Sequence, residues 1–441
     1  MREQILIKNV NLLDVKEGVL RENLDILIED QIIKEVGKLY FADKENVKTI
    51  DCSGKFALPG LFECHSHLSV LTNQPEKDRE EILEECGIAG GSLSEVLEKQ
   101  VLKKFVEKGI TQVRDCGGPI ETLRGLKDKI SSREYMGPEL FYSGPVLEKS
   151  PLRAEQMNQR WPGWSVAVDT LQDAENIIQQ ISKEDAALVK TFSKFDFDVL
   201  KHLLDKTREF NLPVTHDPGP TFFHSIPVDV AIDLGIRCIE HGKSPWYIVL
   251  KDGLKSEHDK LFDSSPENKE AFINRMFDLG VDSISATKLK SLGNRMLENQ
   301  VYFCPTLHVF KRYSEHPEEF NPDELDKFRK RFEILLKIGG VITKEFIRQG
   351  IKILVGQDGY NPLFTFDEMQ LLKELDLSEW EIIKGATLHP AQWLGVDHKF
   401  GSVSPGKSAN ILILNKNPLE DIVNLKTTHM VLKDGKIVFK G

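Results

Sequence analysis

Two histidines separated by one residue are the first sign of chemistry in this sequence. His65 and His67 follow an apolar run, within Glu63-Cys64-His65-Ser66-His67. Because side chains of a strand alternate between its two faces, His65 and His67 point the same way and could hold one metal ion together. The alternative is a pair of ordinary buried histidines, since an HxH pair on its own is a weak signal.

Further ligand-type side chains stand at the ends of other short apolar runs. They are His216, His241 and Asp358, and Lys190 has a similar position near the end of another run. Imidazole nitrogen and carboxylate oxygen suit zinc or a similar divalent ion. A surface lysine is the ordinary alternative for Lys190. Beside bound cations, however, its pKa should fall, and the neutral amine could then react with carbon dioxide to form a carbamate that bridges two metal ions.

Eight short strand-like runs carry these residues. The runs end within residues 55–67, 107–117, 139–147, 186–192, 212–217, 234–242, 299–307 and 349–359. Segments with helical patterning separate them, and a glycine precedes several of them, as expected where a helix ends and a strand follows. Alternating strands and helices predict a parallel sheet. Eight such units predict a (β/α)8 TIM barrel, an α/β fold with its site at the C-terminal ends of the strands.

The two ends of the chain have a different pattern. Both are rich in β-type residues and turn residues and contain no long helical segment. Neither end alone would bury much surface, so we expect one small β-sandwich domain built from both termini; two separate β modules are the alternative. The predicted boundaries are residues 1–56 and 396–441 for the small β-domain and residues 57–395 for the barrel.

Composition excludes several classes of protein. The chain has 441 residues, 40% of them hydrophobic, which is enough for a full core. Its 58 Lys and Arg against 69 Asp and Glu give a net charge of −11, which disfavours binding to nucleic acid. No apolar stretch reaches the roughly 18 residues of a membrane helix, and the N-terminus lacks an export signal. We therefore expect a cytoplasmic protein without a nucleic-acid or membrane partner, whose six cysteines are reduced.

Taken together, the motifs resemble those of the amidohydrolase superfamily of metal-dependent hydrolases. The HxH pair after the first strand, the lysine of the fourth, single histidines after the fifth and sixth and an aspartate after the eighth follow its two-metal pattern. Segments 57–68, 113–118, 238–242 and 386–422 resemble its imidazolonepropionase/prolidase-like branch. The resemblance covers essentially the whole chain, including both ends.

The resemblance implies a hydrolase that cleaves an amide-type C–N bond in a small molecule. The implied ligands of two divalent ions, zinc first among them, are His65, His67, Lys190, His216, His241 and Asp358. Carbamylated Lys190 and a hydroxide would bridge the ions, and Asp358 would act as general base and then general acid. The implied substrates are N-acyl amino acids, dipeptides, aryl amides or carbamates. Assembly into a homo-oligomer stays open.

Loops after the strands offer candidate substrate contacts. The candidates are Arg160, Trp161, Trp164, His224, His308 and Tyr360. The arginine beside two tryptophans could clamp an anionic or aromatic group, although the tryptophans could equally anchor their loop on the barrel. The two histidines and the tyrosine could hydrogen-bond to substrate or could be ordinary polar loop residues.

Two other functions remain open from the sequence. The first is a mononuclear deaminase or cyclic-imide hydrolase of the same superfamily. Lys190 argues against it, because a site with one metal ion needs no bridge. The second is a non-catalytic scaffold that has lost its metals. The intact set of ligand-type residues argues against that function.

Overall fold

The computed structural model describes residues 4–39, 47–72, 74, 76–88, 96–193, 195–219, 226–261, 264–319 and 323–441. One predicted substrate contact, His224, lies outside the described residues. The strands are β1 (Gln4–Asp14), β2 (Val19–Glu29), β3 (Ile32–Gly37), β4 (Val47–Asp51), β5 (Phe56–Pro59), β6 (Leu61–Ser66), β7 (Ile110–Asp115), β8 (Glu139–Tyr142), β9 (Val146–Glu148), β10 (Ser165–Ala167), β11 (Val189–Phe192), β12 (Val214–Asp217), β13 (Cys238–Glu240), β14 (Tyr302–Cys304), β15 (Ile411–Leu414), β16 (Thr428–Lys433) and β17 (Lys436–Lys440).

The helices occur mainly between the strands of the central segment. They are α1 (Glu76–Glu85), α2 (Leu97–Glu107), α3 (Ile120–Ser131), α4 (Pro151–Arg160), α5 (Leu171–Lys183), α6 (Phe197–Glu209), α7 (Val228–Leu234), α8 (Asp252–Lys260), α9 (Pro266–Leu279), α10 (Ala286–Glu298), α11 (Leu307–Glu315), α12 (Leu325–Gln349), α13 (Pro362–Glu374), α14 (Glu379–Gly385) and α15 (Leu388–Trp393). Gly235 and Gly350 end α7 and α12 with φ of 115° and 82°, the left-handed cap that the sequence predicts there. Within the described ranges, we find no helix with the length and hydropathy needed to cross a bilayer.

Both ends of the chain contribute to one sheet. Its order is β17-β16-β15-β5-β1-β2-β3, with β4 beside β1. The two ends meet at β5, which pairs in parallel with β1 and antiparallel with β15. Ile7 and Ile28 from the N-terminal end share one apolar cluster with Ile413 and Leu432 from the C-terminal end. The termini therefore share a core, and β5 lies across the predicted boundary at residue 56.

Parallel strands form the central segment. Strands β6, β7 and β8 make one sheet, and a second has the order β10-β9-β11-β12-β13-β14. The register of each pair within these two sheets is parallel. Parallel neighbours need crossover connections, which the intervening helices supply. The predicted α/β class is confirmed.

The eighth predicted run, residues 349–359, is less regular than the others. It forms isolated parallel bridges, Phe303 with Ile353 and Ser66 with Gly359, instead of a continuous strand. Asp358 has a left-handed φ of 58°, which an extended strand does not accommodate. A Cβ atom on Gly356 would lie 2.7 Å from the His65 backbone nitrogen, so this segment passes unusually close to β6.

Backbone hydrogen bonds extend outward from both edges of the three-stranded sheet. The Cys64 amide donates to the Val355 carbonyl at 2.9 Å, on one side of the eighth run. On the opposite edge of the three-stranded sheet, the Ala187 amide donates to the Tyr142 carbonyl at 2.9 Å. The parallel direction brings the carboxyl ends of these strands to one side, where the predicted ligands lie.

An apolar cluster lies among the strands. Phe62 of β6 and Phe141 of β8 have ring centroids 6.0 Å apart, and both contact Phe400 from the C-terminal part of the chain. Three buried cysteines, Cys64, Cys238 and Cys304, belong to the same cluster. All six cysteines are buried and free.

Candidate metal centre

Three of the predicted ligands meet between β6 and the eighth run. The Nε2 atoms of His65 and His67 lie 3.5 and 3.2 Å from Oδ1 of Asp358. The backbone holds this contact, because the Asp358 amide donates to the His65 carbonyl at 2.8 Å. Donor atoms of His65, His241 and Asp358 all lie within 4.8 Å of one another. Imidazole nitrogens gathered around a carboxylate are a typical donor set for zinc.

His216 contributes a buried ring nitrogen from the neighbouring strand. Its Nδ1 lies 2.9 Å from Oγ1 of Thr191, which the register of β11 and β12 places beside it. Its Nε2 has no hydrogen-bond partner among the described residues, although the side chain is completely buried. A buried polar atom without a partner calls for an explanation, and a bound ion would supply one. Burial lowers the pKa of His216 to about 4, so the ring is neutral at neutral pH, as a metal ligand must be.

Asp217, a carboxylate that the sequence reasoning missed, lies beside His241. Its Oδ2 is 2.9 Å from His241 Nε2 and 3.9 Å from Lys190 Nζ. The other ring nitrogen of His241, Nδ1, is 2.7 Å from Oγ1 of Thr306. The available signal was position, because Asp217 directly follows His216 and is the last residue of β12. The centre therefore contains a second carboxylate besides Asp358.

Lys190 is buried in the centre rather than exposed at a strand end. It is 3% exposed, and its Nζ lies 3.4 Å from His65 Nε2. Burial lowers the pKa of Lys190, but the charges of Asp217, Glu240 and Asp358 outweigh burial and leave it raised. The predicted fall in the pKa of Lys190 depends on cations bound nearby. Two bound divalent ions would act in that direction, since they add positive charge next to the ammonium.

Trp164, Trp161 and Arg160 form a row, called the aromatic row below, that leads from His67 into the segment after β9. The ring of Trp164 lies 4.9 Å from the ring of His67 and 5.1 Å from that of Trp161. The Arg160 guanidinium lies 4.4 Å from the centroid of Trp161. Trp164 is 7% exposed, so it also anchors the loop. The predicted substrate contacts Arg160, Trp161 and Trp164 therefore lie in one row that begins beside His67, a predicted metal ligand.

The remaining described candidates, Tyr360 and His308, make contacts elsewhere. The Tyr360 hydroxyl donates to Glu85 Oε2 at 2.8 Å. The ring of His308 lies 4.4 Å from that of Phe364, and its Nε2 lies 3.9 Å from Asp367 Oδ2. These contacts connect the two residues to α1 and α13 rather than to the histidine cluster. Their role in substrate binding stays a prediction.

Comparison with known proteins gives both local and full-length matches. The amidohydrolase family model matches residues 341–438. The 5-methylthioadenosine/S-adenosylhomocysteine deaminase of Carboxydothermus hydrogenoformans is 48% identical over 67 residues, which span 15% of this chain and 15% of that protein. The protein of the same name from Caldanaerobacter subterraneus subsp. tengcongensis is 20% identical over 99% of this chain and 93% of its own length.

Solved structures extend the similarity to the whole fold. The crystal structure of a prolidase complexed with N-methylphosphonate-L-proline superposes with a TM-score of 0.74. The alignment covers 99% of this chain and 100% of that one at 21% sequence identity. The likeness shows a shared fold over 99% of this chain.

Proposed function

We propose that this chain, a member of the amidohydrolase superfamily in its imidazolonepropionase/prolidase-like branch, is a metal-dependent hydrolase. Its reaction would be cleavage of an amide-type C–N bond in a small molecule. The observation that carries the proposal is the convergence of imidazole nitrogens on Asp358, with His65, His67 and His241 around one carboxylate. Such a group of donors has little purpose in a scaffold without metal.

The proposed architecture is a (β/α)8 barrel of residues 57–395 with a small β-sandwich of residues 1–56 and 396–441. The bridges of the eighth run to β14 and to β6 support closure of the strands into a ring. The hydrogen bond from Ala187 to Tyr142 supports closure on the opposite side. In such a barrel the carboxyl ends of the strands form the catalytic face, where the candidate centre lies.

The donor set fits two divalent ions, and zinc suits its nitrogen and carboxylate atoms. His65, His67 and Asp358 would hold one ion, and His216 and His241 the other, with carbamylated Lys190 between them. The unsatisfied Nε2 of His216 supports this assignment. When bound, two such ions supply Lewis acidity toward a carbonyl group and lower the pKa of water toward neutrality.

Asp358 is the proposed proton carrier. Burial alone would raise the pKa of Asp358, but the neighbouring rings of His65, His67 and His241 hold it well below its usual range. The carboxylate is therefore ionised at neutral pH and can accept a proton from the attacking water. It can then pass that proton to the leaving nitrogen, which must be protonated to depart as an amine.

The aromatic row supports a substrate with a planar or apolar group beside an anionic one. Trp164 and Trp161 offer flat apolar surface next to His67, and Arg160 supplies a cation at the outer end. N-acyl amino acids and dipeptides have a carboxylate beside their C–N bond, which suits Arg160, and aryl amides and aryl carbamates have a planar ring, which suits the two tryptophans. These compounds form the proposed substrate class.

The test is a substrate screen on zinc-loaded protein. N-acyl amino acids, dipeptides, aryl amides and aryl carbamates are incubated with the wild type, and release of amine is measured. Asp358→Asn and metal-stripped wild type serve as controls for contaminating activity. We expect amine release from at least one class by the loaded wild type only. Equal release by Asp358→Asn, or none from any class, contradicts the proposal.

A second candidate function is hydrolytic deamination or opening of a cyclic imide at a single metal ion. The full-length match to the Caldanaerobacter protein, whose name is that of a deaminase, favours it. Lys190 distinguishes the two functions, because only the two-ion site needs a bridging carbamate. If Lys190→Ala keeps its metal content and its activity on amino-substituted heterocycles, the single-ion function is supported.

A further inference from the structure

A fully buried ion pair lies against the proposed metal centre. Glu240 of β13 and Arg114 of β7 both have side chains that are 0% exposed, and their charged groups meet at 2.7 Å. Neither residue is among the sequence-predicted site residues. We infer that Glu240, held by Arg114, is a positioning residue that fixes the ring of His65 with its Nε2 free to bind metal. The inference rests on the proposed metal centre.

The contact between Glu240 and His65 determines which ring nitrogen carries hydrogen. Oε2 of Glu240 lies 2.7 Å from Nδ1 of His65. An ionised carboxylate only accepts hydrogen bonds, so Nδ1 must donate, and a neutral ring then has its lone pair on Nε2. That atom is the one directed at Asp358 Oδ1 and Lys190 Nζ, at 3.5 and 3.4 Å. A carboxylate behind a ligating histidine is a recurrent way to orient the ring.

Glu240 can orient the His65 ring because its other oxygen, Oε1, is held by hydrogen bonds from neighbouring strands. Oε1 accepts hydrogen bonds from Arg114 Nη2 at 2.7 Å and from the Thr215 hydroxyl. Arg114 is itself anchored, because its Nε donates to the Cys64 carbonyl and its guanidinium lies 4.9 Å from the Trp393 ring centroid. The carboxylate therefore has one orientation, set by β6, β7, β12 and β13 together.

Stabilisation of the fold does not by itself explain why Glu240 and Arg114 are buried together. Two charges placed in a barrel interior lose their hydration, and apolar residues of similar size often serve stability equally well or better. The Arg114 guanidinium, 2.7 Å from Oε1, favours the ionised form of Glu240 and leaves Oε2 to face His65. A carboxylate in this position also makes the His65 ring a stronger electron donor to a cation.

The first measurement uses the wild type without metal. In protein labelled with 15N-histidine, the ring nitrogens of His65 are observed by NMR and assigned with a His65→Gln variant. We expect the Nδ1–H tautomer, with a ring proton protected from exchange. The Nε2–H tautomer would overturn the inference, and no engineered change at Glu240 is needed to see it.

The second measurement is the affinity for Zn²⁺ alone, by competition with a chromophoric chelator. Glu240→Gln removes the charge and offers an amide that can donate to Nδ1, so the tautomer is no longer imposed. We expect its first zinc ion to bind about 10- to 100-fold more weakly. The matched control is Asp25→Asn, since Asp25 is a buried carboxylate of the terminal sheet that accepts hydrogen bonds from the backbone amides of Asn9 and Leu39. Its zinc affinity should equal that of the wild type.

The outcomes separate this inference from the proposed function. If the wild type binds zinc and Glu240→Gln binds it equally well with the same His65 tautomer, the positioning role is wrong and the hydrolase proposal stands. If the wild type binds no zinc, both are wrong. If Glu240→Gln does not fold, Arg114→Met replaces it, and unchanged zinc affinity there overturns the inference.

Discussion

His389 allows a prediction about stability whose magnitude follows from its burial. This histidine of α15 is 4% exposed, and its Nδ1 lies 3.1 Å from the Ile353 carbonyl in the eighth run. Burial lowers the pKa of His389 from 6.5 to about 4. Below about pH 6.5 the unfolded chain binds a proton at His389, whereas the folded protein does not. The contribution of His389 to the free energy of unfolding is therefore fully present above that pH and is lost as the pH falls toward about 4.

The size of the effect follows from linkage. Between pH 7 and pH 5, a histidine with a pKa of 6.5 when unfolded and about 4 when folded lowers the free energy of unfolding by about 2 kcal/mol. His389→Asn keeps a donor for the Ile353 carbonyl but cannot titrate. The wild type should therefore lose about 2 kcal/mol more than His389→Asn over this pH range, because contributions from all other groups cancel in the difference.

Urea unfolding followed by tryptophan fluorescence at pH 7 and pH 5 measures this difference. His398→Asn is the matched control, because His398 is exposed, and it should lose as much stability as the wild type. Equal losses in the wild type and in His389→Asn would refute the reasoning. That result would mean that His389 is hydrated or charged in the folded protein.

Three further predictions concern the centre and its surroundings. Asp358→Asn should lower kcat for a hydrolysed substrate by about 10²- to 10⁴-fold, measured as amine release, because the proton carrier is lost. Lys190→Ala should bind fewer metal ions than the wild type, whereas the exposed-lysine control Lys201→Ala should bind as many, by elemental analysis. Unchanged metal content in Lys190→Ala would contradict a bridging role. Trp161→Ala should raise KM several-fold and leave the metal content unaltered, because the Trp161 ring lies beyond Trp164, away from the metal ligands. An unaltered KM would exclude Trp161 from the substrate site.

Much of the site could be predicted because strand ends are visible in the sequence. The runs that end near His65, His216 and His241 are short and apolar, and the structure places the three histidines in strands or directly after them. The burial of Lys190 agrees with its place among ligand-type residues. The irregular course of the eighth run was not predictable, because it follows from the left-handed backbone at Asp358.

Contacts between side chains of different strands account for what the sequence could not predict. Glu240 and Arg114 are 126 positions apart, and nothing in their local context shows that they meet. Asp217 is absent from the predicted ligands, and its contact with His241 becomes visible only in the structure. The packing of Trp164 against His67 likewise depends on the course of a loop that periodicity does not describe. Such pairings are set by register and by loop paths, which sequence patterns constrain only weakly.

Metal content per chain, measured together with intact mass under native conditions, tests the proposed centre most directly. The protein is purified without chelator, analysed for metals, and weighed before and after acid denaturation. We predict two divalent ions per chain and an added mass of about 44 Da, the mass of carbon dioxide on Lys190, that acid removes. No bound metal after incubation with zinc and bicarbonate would contradict the proposed hydrolase, and one ion without added mass would contradict the bridged two-metal site.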